Sequence, residues 1–194
     1  METAGCGRGD HVEEMTPALI GLLRAGAPDA GALLDELYRD ALVRFCWGYL
    51  GHVEEAEDAV QDVCYKVLGT KTVPDAFRSW IYKIARNHCL NLLRRRTRRK
   101  EGPGLPPASQ LHEVLTGTLT RLVRDEQRSR LGELVLSLSE AQREVLRLRY
   151  VESLSRAEIA EVLGIPESVV KSRLFEGLRR LRELAGDEAL LEEE

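Results

Sequence analysis

A ten-residue segment near the middle of the chain, 101–110, has the sequence "EGPGLPPASQ" and contains three prolines and two glycines. Proline lacks a backbone N–H and its ring collides with the preceding turn, so no continuous helix passes through this segment. Residues 111–125 have only a weak helical period, and we therefore assign 101–125 as a flexible linker, about 80 Å long if fully extended. A chain of 194 residues divided in this way is expected to form two small domains.

The half before the linker contains three apolar patterns with a helical period: 33–50 before Gly51, 53–68 before Gly69, and 77–100 after Pro74. Glycine commonly ends a helix and proline prevents simple continuation, so each pattern has a defined boundary. The patterns predict three packed helices.

The half after the linker contains two capping-box patterns, in which a serine precedes a glutamine or glutamate by three residues. Ser139 with Gln142 opens one helix, and Ser155 with Glu158 opens a short helix that ends at Gly164. A longer basic helix follows this glycine. A short capped helix, a tight turn and a longer basic helix predict a helix-turn-helix, which places its second helix in the major groove of DNA.

Since all of these patterns have a helical period, we expect an all-α fold. It consists of two small helical domains, a helical bundle and a helix-turn-helix domain, joined by a flexible linker. The assigned segments are 1–30 (N-terminal extension, for which disorder is one interpretation), 31–100 (bundle), 101–125 (linker), 126–185 (helix-turn-helix domain) and 186–194 (acidic tail).

The last helix of the bundle is basic, although the net charge of the chain is −4. Residues 78–100 contain nine basic residues and no acidic one, whereas residues 1–62 contain 13 acidic and four basic residues. Positions spaced i, i+4, i+8, i+11 and i+15 share one helix face, and here they hold Lys83, Asn87, Asn91, Arg94 and Arg98. Amides can read base edges and guanidinium groups can hold phosphates, so this stripe and the adjacent Arg95 predict DNA binding. A basic helix end that only favours the helix dipole is the alternative.

The second helix of a helix-turn-helix contacts DNA through its exposed face. Base-edge contacts are expected from Glu167, Ser168, Val169, Lys171, Ser172, Phe175 and Glu176. Phosphate contacts are expected from Ser155, Arg156, Arg173, Arg179 and Arg180. For the last two arginines, a solvated helix face is an equally good interpretation.

The sequence contains no pattern typical of an active site. A Gly-rich phosphate loop, a Ser/His/Asp order and the H-E-x-x-H motif are absent, and the four histidines and four cysteines lack ligand spacing. We therefore expect no catalytic residue, no metal and no cofactor. The chain also lacks a signal-peptide pattern and an apolar run of membrane-spanning length, which indicates a cytoplasmic protein with no membrane span of its own.

Three segments, "AEDAVQDVCYKV", "FRSWIYKIARNHCLNLLRRR" and "LSRAEIAEVLGIPESVVKSRLFEGLRRLRE", resemble the bacterial sigma-70 family, in its extracytoplasmic-function (ECF) group. The resemblance covers about 30–185. It implies two helical domains, called sigma2 and sigma4, which bind core RNA polymerase and direct promoter-specific transcription initiation.

The resemblance also implies a role for each surface. The stripe on the basic helix would recognise and help open the downstream (minus-ten) promoter element, with Asn87 and the loop 69–76 near an everted base. The helix-turn-helix would read the upstream (minus-thirty-five) element and touch the polymerase flap. Asp58, Gln61 and Asp62 would dock on the clamp helices of the largest polymerase subunit, although composition alone favours a solvated acidic face. Whether an anti-sigma factor binds the chain is left open.

Some residues depart from the family pattern. Relatives commonly have Gly-Thr at Ser168 and Val169, a basic residue at Glu176, and an aromatic residue before Pro74. The target sequence therefore cannot be transferred from relatives.

Two other functions compete with this interpretation. The second half also resembles the C-terminal domain of helix-turn-helix regulators that act without replacing sigma, but their upstream half is usually an α/β domain, and here it is helical. An RNA-binding or structural adaptor that uses only the arginine cluster would leave the second domain unexplained.

Overall fold

The computed structural model describes residues 7–99 and 138–185, and the side chains of residues 11–96 and 138–183 within them. These residues fall in two units. Every regular element in the described ranges is a helix, which confirms the predicted all-α fold with two small helical domains. The linker at 101–125 and the acidic tail at 186–194 lie outside the described residues.

The first unit contains, within residues 7–99, the helices α1 (Gly7–Ala25), α2 (Ala30–Leu50), α3 (Val53–Leu68) and α4 (Phe77–Arg99). Helix α2 packs against each of the other three and lies at the centre of the bundle. Its Leu42 and Phe45 are fully buried, as are Val63 of α3 and Ile81 of α4. The rings of Phe45 and Tyr82 meet edge to face with their centroids 5.0 Å apart, which joins α2 to α4.

Helix α1 corrects the interpretation of residues 1–30 as an extension that can be disordered. Residues 7–25 are helical, and Leu19, Ile20 and Leu23 are buried. The Thr16 hydroxyl lies 2.8 Å from the Tyr38 hydroxyl of α2, within hydrogen-bond distance. The helix was not predicted because one short apolar run is too little to indicate a stable isolated helix; burial against the bundle stabilises it.

The predicted helix ends are confirmed, although the three glycines act differently. Gly51 and Gly164 have φ values of 77° and 67°, a left-handed conformation that L side chains rarely adopt. Gly69 caps α3 with a φ of −81° and ends the helix without a left-handed residue. At the ends of the same helix, Val53 and Leu68 are 51% and 45% exposed, so the buried stripe of α3 is shorter than its apolar pattern.

The second unit contains, within residues 138–185, α5 (Glu140–Leu146), a π-helical segment (Arg147–Val151), α6 (Arg156–Leu163) and α7 (Glu167–Ala185). Both predicted capping boxes are present. The wider π-helical turn was not predicted, and Tyr150 within it is 51% exposed.

Helix α7 packs against α5 and α6 through its apolar side. Val170 and Leu174 are buried on it, together with Val145 of α5 and Ile159 of α6. Gly177 permits close approach, since a Cβ atom there would lie 3.0 Å from Leu146 Cδ1. This packing leaves the opposite side of α7 facing solvent. In neither of the two described ranges is a helix both long and apolar enough to cross a membrane.

Candidate nucleic-acid interfaces

The polar stripe of α4 faces solvent as predicted over most of its length. Asn87, Asn91 and Arg94 are exposed and Lys83 is half-buried, while the Arg98 side chain lies outside the described residues. Arg94 Nη1 donates a hydrogen bond to Asn91 Oδ1 over 3.2 Å. This bond uses one of the two acceptor positions of the amide oxygen, so Asn91 can still donate through its NH₂ group and accept one further hydrogen bond.

The arginines near the end of α4 are not equivalent. Arg94 and Arg95 are exposed, whereas Arg96 is half-buried and forms an ion pair with Glu55 of α3. A guanidinium group held by a carboxylate of its own protein is less available to a phosphate. Arg94 and Arg95 are therefore better exposed than Arg96 for the predicted phosphate contacts, while Arg96 joins α4 to α3.

His88 of α4 forms a second link to α3, which was not predicted from the sequence. Its Nδ1 lies 2.8 Å from Lys66 Nζ. Its Nε2 lies 3.3 Å from Asp62 Oδ2, without hydrogen-bond alignment. Burial lowers the pKa of His88, and the nearby Lys66 lowers it further, while Asp62 opposes the change. A neutral imidazole can accept a hydrogen bond from Lys66 Nζ at Nδ1, and its own proton then lies on Nε2, toward Asp62.

The acidic face of α3 is exposed at each residue predicted to contact polymerase. Asp58, Gln61 and Asp62 are all exposed. A cleft of about 320 Å³ separates this face from α4, and it is lined by Glu55, Asp58, Ala59, Asp62, His88, Leu92, Arg95 and Arg96. Acidic and basic surfaces therefore lie side by side in one unit, with two cross-helix pairs fixing their relative position.

The helix-turn-helix presents most of the predicted DNA contacts to solvent. Exposed positions are Ser155, Arg156, Glu167, Ser168, Lys171, Ser172, Phe175, Glu176, Arg179 and Arg180. Val169 and Arg173 are half-buried, so their contacts to DNA would be limited to part of the side chain. Phe175 is 68% exposed, and an apolar ring in this position can contact a thymine methyl group.

Several charged side chains of this unit are paired within the protein. Arg156 Nε lies 3.8 Å from Glu167 Oε1. Arg179 and Arg180 both approach Glu183, at 3.1 and 3.8 Å. Exposed pairs of this kind contribute little to stability and exchange easily with solvent or phosphate. The pairing keeps open both interpretations of Arg179 and Arg180, a phosphate contact and a solvated face.

Each half of the chain matches a known protein family. Residues 34–99 match the family Sigma-70 region 2, and residues 128–181 match Sigma-70, region 4. The first match lies in a helical half, so the alternative of a regulator with an upstream α/β domain is not favoured.

The chain is similar to complete ECF sigma factors. It is 30% identical over 188 residues to the ECF RNA polymerase sigma factor SigW of Bacillus subtilis, a match that covers 91% of this chain and 100% of that protein. It is 31% identical over 173 residues to the ECF RNA polymerase sigma factor SigL of Mycobacterium tuberculosis, covering 81% and 92% of the two chains.

The fold also matches solved structures. CnrH, solved in complex with the cytosolic domain of CnrY, has a TM-score of 0.60 at 21% identity, with 89% of this chain and 97% of that chain covered. The sigma factor RpoE of Bartonella quintana, solved with the anti-sigma factor NepR, has a TM-score of 0.52 at 20% identity, with 92% and 98% covered. With region 2 and region 4 both matched and SigW similar along its full length, the chain belongs to the extracytoplasmic-function group of the sigma-70 family of RNA polymerase sigma factors.

Proposed function

We propose that the two units of this sigma factor divide promoter recognition between them, the first binding core polymerase and the downstream element and the second binding the upstream element. The main support for this proposal comes from the first unit, where the exposed acidic face of α3 lies beside the amide and arginine face of α4. One face suits a basic protein surface and the other suits a nucleic acid.

Within the first unit, the residues of α4 act in two ways. Asn87 and Asn91 read base edges, since exposed amides can donate to and accept from the edges of unpaired or paired bases. Lys83, Arg94, Arg95 and Arg98 hold the backbone phosphates and supply affinity without sequence preference. The loop 69–76 lies near an everted base of the downstream element, as in the family pattern.

Within the second unit, α7 enters the major groove at the upstream element. Base edges are contacted by Ser168, Val169, Lys171, Ser172, Phe175 and Glu176, and phosphates by Ser155, Arg156, Arg173, Arg179 and Arg180. The N-terminus of α6, where Ser155 lies, adds the partial positive charge of a helix end near the phosphates.

The partners follow from these surfaces. Asp58, Gln61 and Asp62 dock on the clamp helices of the largest subunit, and the second unit also touches the polymerase flap. Promoter DNA is the other partner. The protein acts in the cytoplasm together with polymerase. It has no catalytic activity of its own and needs no cofactor. RpoE was solved with an anti-sigma factor, which supports an inhibitor of that kind for this chain.

The docking assignment is tested by reversing one exposed charge, Asp58→Arg. Asp62 is the less suitable target because it lies beside His88, and a cation there would disturb the contact between α3 and α4. The matched control is Glu36→Arg, an equal change of charge at an exposed position of α2. We expect Asp58→Arg to weaken binding to core polymerase by about tenfold or more and Glu36→Arg to leave it within about twofold, with unchanged helical spectra.

Equal affinities of wild type and Asp58→Arg for core polymerase would contradict the docking assignment. They would indicate that the acidic face of α3 is solvated in the complex.

A further inference from the structure

A long-range set of hydrogen bonds joins α1 to the loop between α3 and α4. Arg24, in the last turn of α1, donates to the Val73 carbonyl through Nε at 3.1 Å and Nη2 at 2.7 Å. Nη2 also lies 2.7 Å from Asp75 Oδ1. One guanidinium group therefore holds two residues of the loop that are about 50 positions away in sequence.

This loop, 69–76, has no helix or strand of its own to fix its shape. Its first end is held by Thr70, whose N–H bonds the Val67 carbonyl at 3.2 Å and whose hydroxyl donates to the Lys66 carbonyl at 2.9 Å. Its second end is held by Val73, which is 3% exposed, and by the Arg24 contacts. The two residues between these ends, Lys71 and Thr72, are exposed, so the loop is a short exposed tip between two anchored ends.

The tip consists of Lys71 and Thr72, and both are exposed. A lysine and a threonine are suited to contacts with a nucleic-acid phosphate and a base edge. Their direction depends on the Val73 anchor, since Val73 follows them directly. Because arginine offers several donors in a rigid planar fork, it can fix a carbonyl and a carboxylate at the same time, which a single point charge does poorly.

Helix α1 is itself tied to the rest of the unit, so it can serve as a support. The apolar face of α1 is buried, and Arg78 Nη1 of α4 lies 3.3 Å from Glu13 Oε1 of α1. Helix α1 therefore contacts the chain on the α4 side of the loop at two places, at Val73 through Arg24 and at Arg78 near the start of α4 through Glu13.

We propose that Arg24 is a specificity-positioning residue, which holds the Val73 carbonyl so that Lys71 and Thr72 face the downstream promoter element in one orientation. Helix α1 thereby contributes to base preference without touching DNA. The proposal rests on the proposed function, since it requires that the loop lies at the downstream element.

The test uses full-length protein reconstituted with core polymerase and a set of promoters in which each base pair of the downstream and upstream elements is changed singly. Initial rates of run-off transcription give the ratio of preferred to disfavoured bases at every position. The variants are Arg24→Ala and Arg24→Lys. The control is Arg39→Ala, because the Arg24 and Arg39 side chains are 48% and 50% exposed and each is paired with an aspartate.

We expect Arg24→Ala to reduce the base-preference ratio by roughly three- to tenfold at one or two downstream positions, the size expected for a lost charged hydrogen bond that is half exposed. Upstream preference, affinity for core polymerase and helical content should not change. Arg24→Lys should restore part of the ratio, because an ammonium group can still donate to the Val73 carbonyl. Arg39→Ala should behave as wild type.

Unchanged downstream ratios in Arg24→Ala, or an equal loss of preference at both elements, would overturn the positioning role. The second result would indicate general destabilisation of the protein. A failure of the proposed function is distinct, because the wild-type protein itself would then show no promoter preference with core polymerase.

Discussion

Ser155 combines two roles that can be separated by mutation, the N-cap of α6 and a proposed phosphate contact. Its hydroxyl accepts a hydrogen bond from the Glu158 N–H at 3.2 Å, and its own N–H donates to Glu158 Oε2 at 2.8 Å. Alanine removes the first of these bonds, whereas aspartate is as good an N-cap as serine and adds a negative charge. Ser155→Ala should therefore mainly reduce stability, whereas Ser155→Asp should mainly affect DNA binding.

The expected magnitudes follow from the cap geometry. Ser155→Ala should lower the free energy of unfolding by about 1 kcal/mol, which corresponds to a fall in Tm of roughly 4–8 °C for a domain of this size. Ser155→Asp should change stability by only a few tenths of a kcal/mol. If the hydroxyl faces a phosphate, Ser155→Asp should nevertheless weaken binding to the upstream element and reduce the logarithmic salt slope by about one unit.

Ser139 provides the matched control, because it forms the same capping box with Gln142, at 3.3 and 3.0 Å, at the start of α5. Thermal unfolding gives the stability of each variant. Titration of the complete polymerase complex on promoter DNA with native and scrambled upstream elements, at several salt concentrations, gives binding. Ser139→Asp should bind as wild type. Equal DNA binding by Ser155→Asp and Ser139→Asp would refute the phosphate contact and leave Ser155 with the cap alone.

Three further outcomes are expected. Asn87→Ala or Asn91→Ala should reduce base preference at the downstream element. Arg95→Ala should instead weaken binding to native and scrambled elements alike and reduce the logarithmic salt slope by about one unit. Equal effects of all three substitutions would contradict the base-reading role. Glu176→Arg should tighten binding to nearly all upstream sequences and steepen the logarithmic salt slope by about one unit. A loss of preference at a single C·G pair in Glu176→Ala would show instead that the carboxylate reads cytosine. Because the folded state lowers the pKa of His88, the contribution of the neutral ring to stability should be fully present above about pH 6.5 and be lost as pH falls through the lowered pKa. Between pH 7.5 and 5.5, Tm should therefore fall less in His88→Gln than in wild type. An equal fall in both proteins would contradict this role.

Most helices of the fold could be predicted from the sequence because their signals are local. The capping serines, Gly51 and Gly164 each act within one helical turn, and the structure has the predicted cap or stop at every one of them. The exposure of Asn87 also follows from helical spacing alone. Such signals depend only on neighbours in sequence, and these are visible in a single chain.

The missed features depend on tertiary contacts. Helix α1 is stabilised by burial of Leu19 and its neighbours against the bundle, and its own sequence gave little indication of this. The His88 contacts and the pairing of Arg96 with Glu55 join separate helices, so spacing along one helix could not predict them. For the same reason, spacing placed Arg94 on the polar stripe but gave no partner for Arg96, which the structure pairs with Glu55.

The domain boundaries and the individual roles of the site residues stay predictions. The family matches at 34–99 and 128–181 assign the regions, but they do not assign a function to any single side chain. Base preference in particular is predicted to depend on Ser168 and Glu176 of α7, which depart from the family pattern.

Run-off transcription by core polymerase, with and without this protein and with no other sigma factor present, tests the central claim most directly. The template should be a pool of DNA fragments, so that the start sites themselves reveal the preferred promoter. We predict that the protein alone redirects core polymerase to discrete start sites, each preceded by shared downstream and upstream sequences. Transcription that starts at no defined site, or only when another sigma factor is added, would contradict the account and favour a helix-turn-helix regulator.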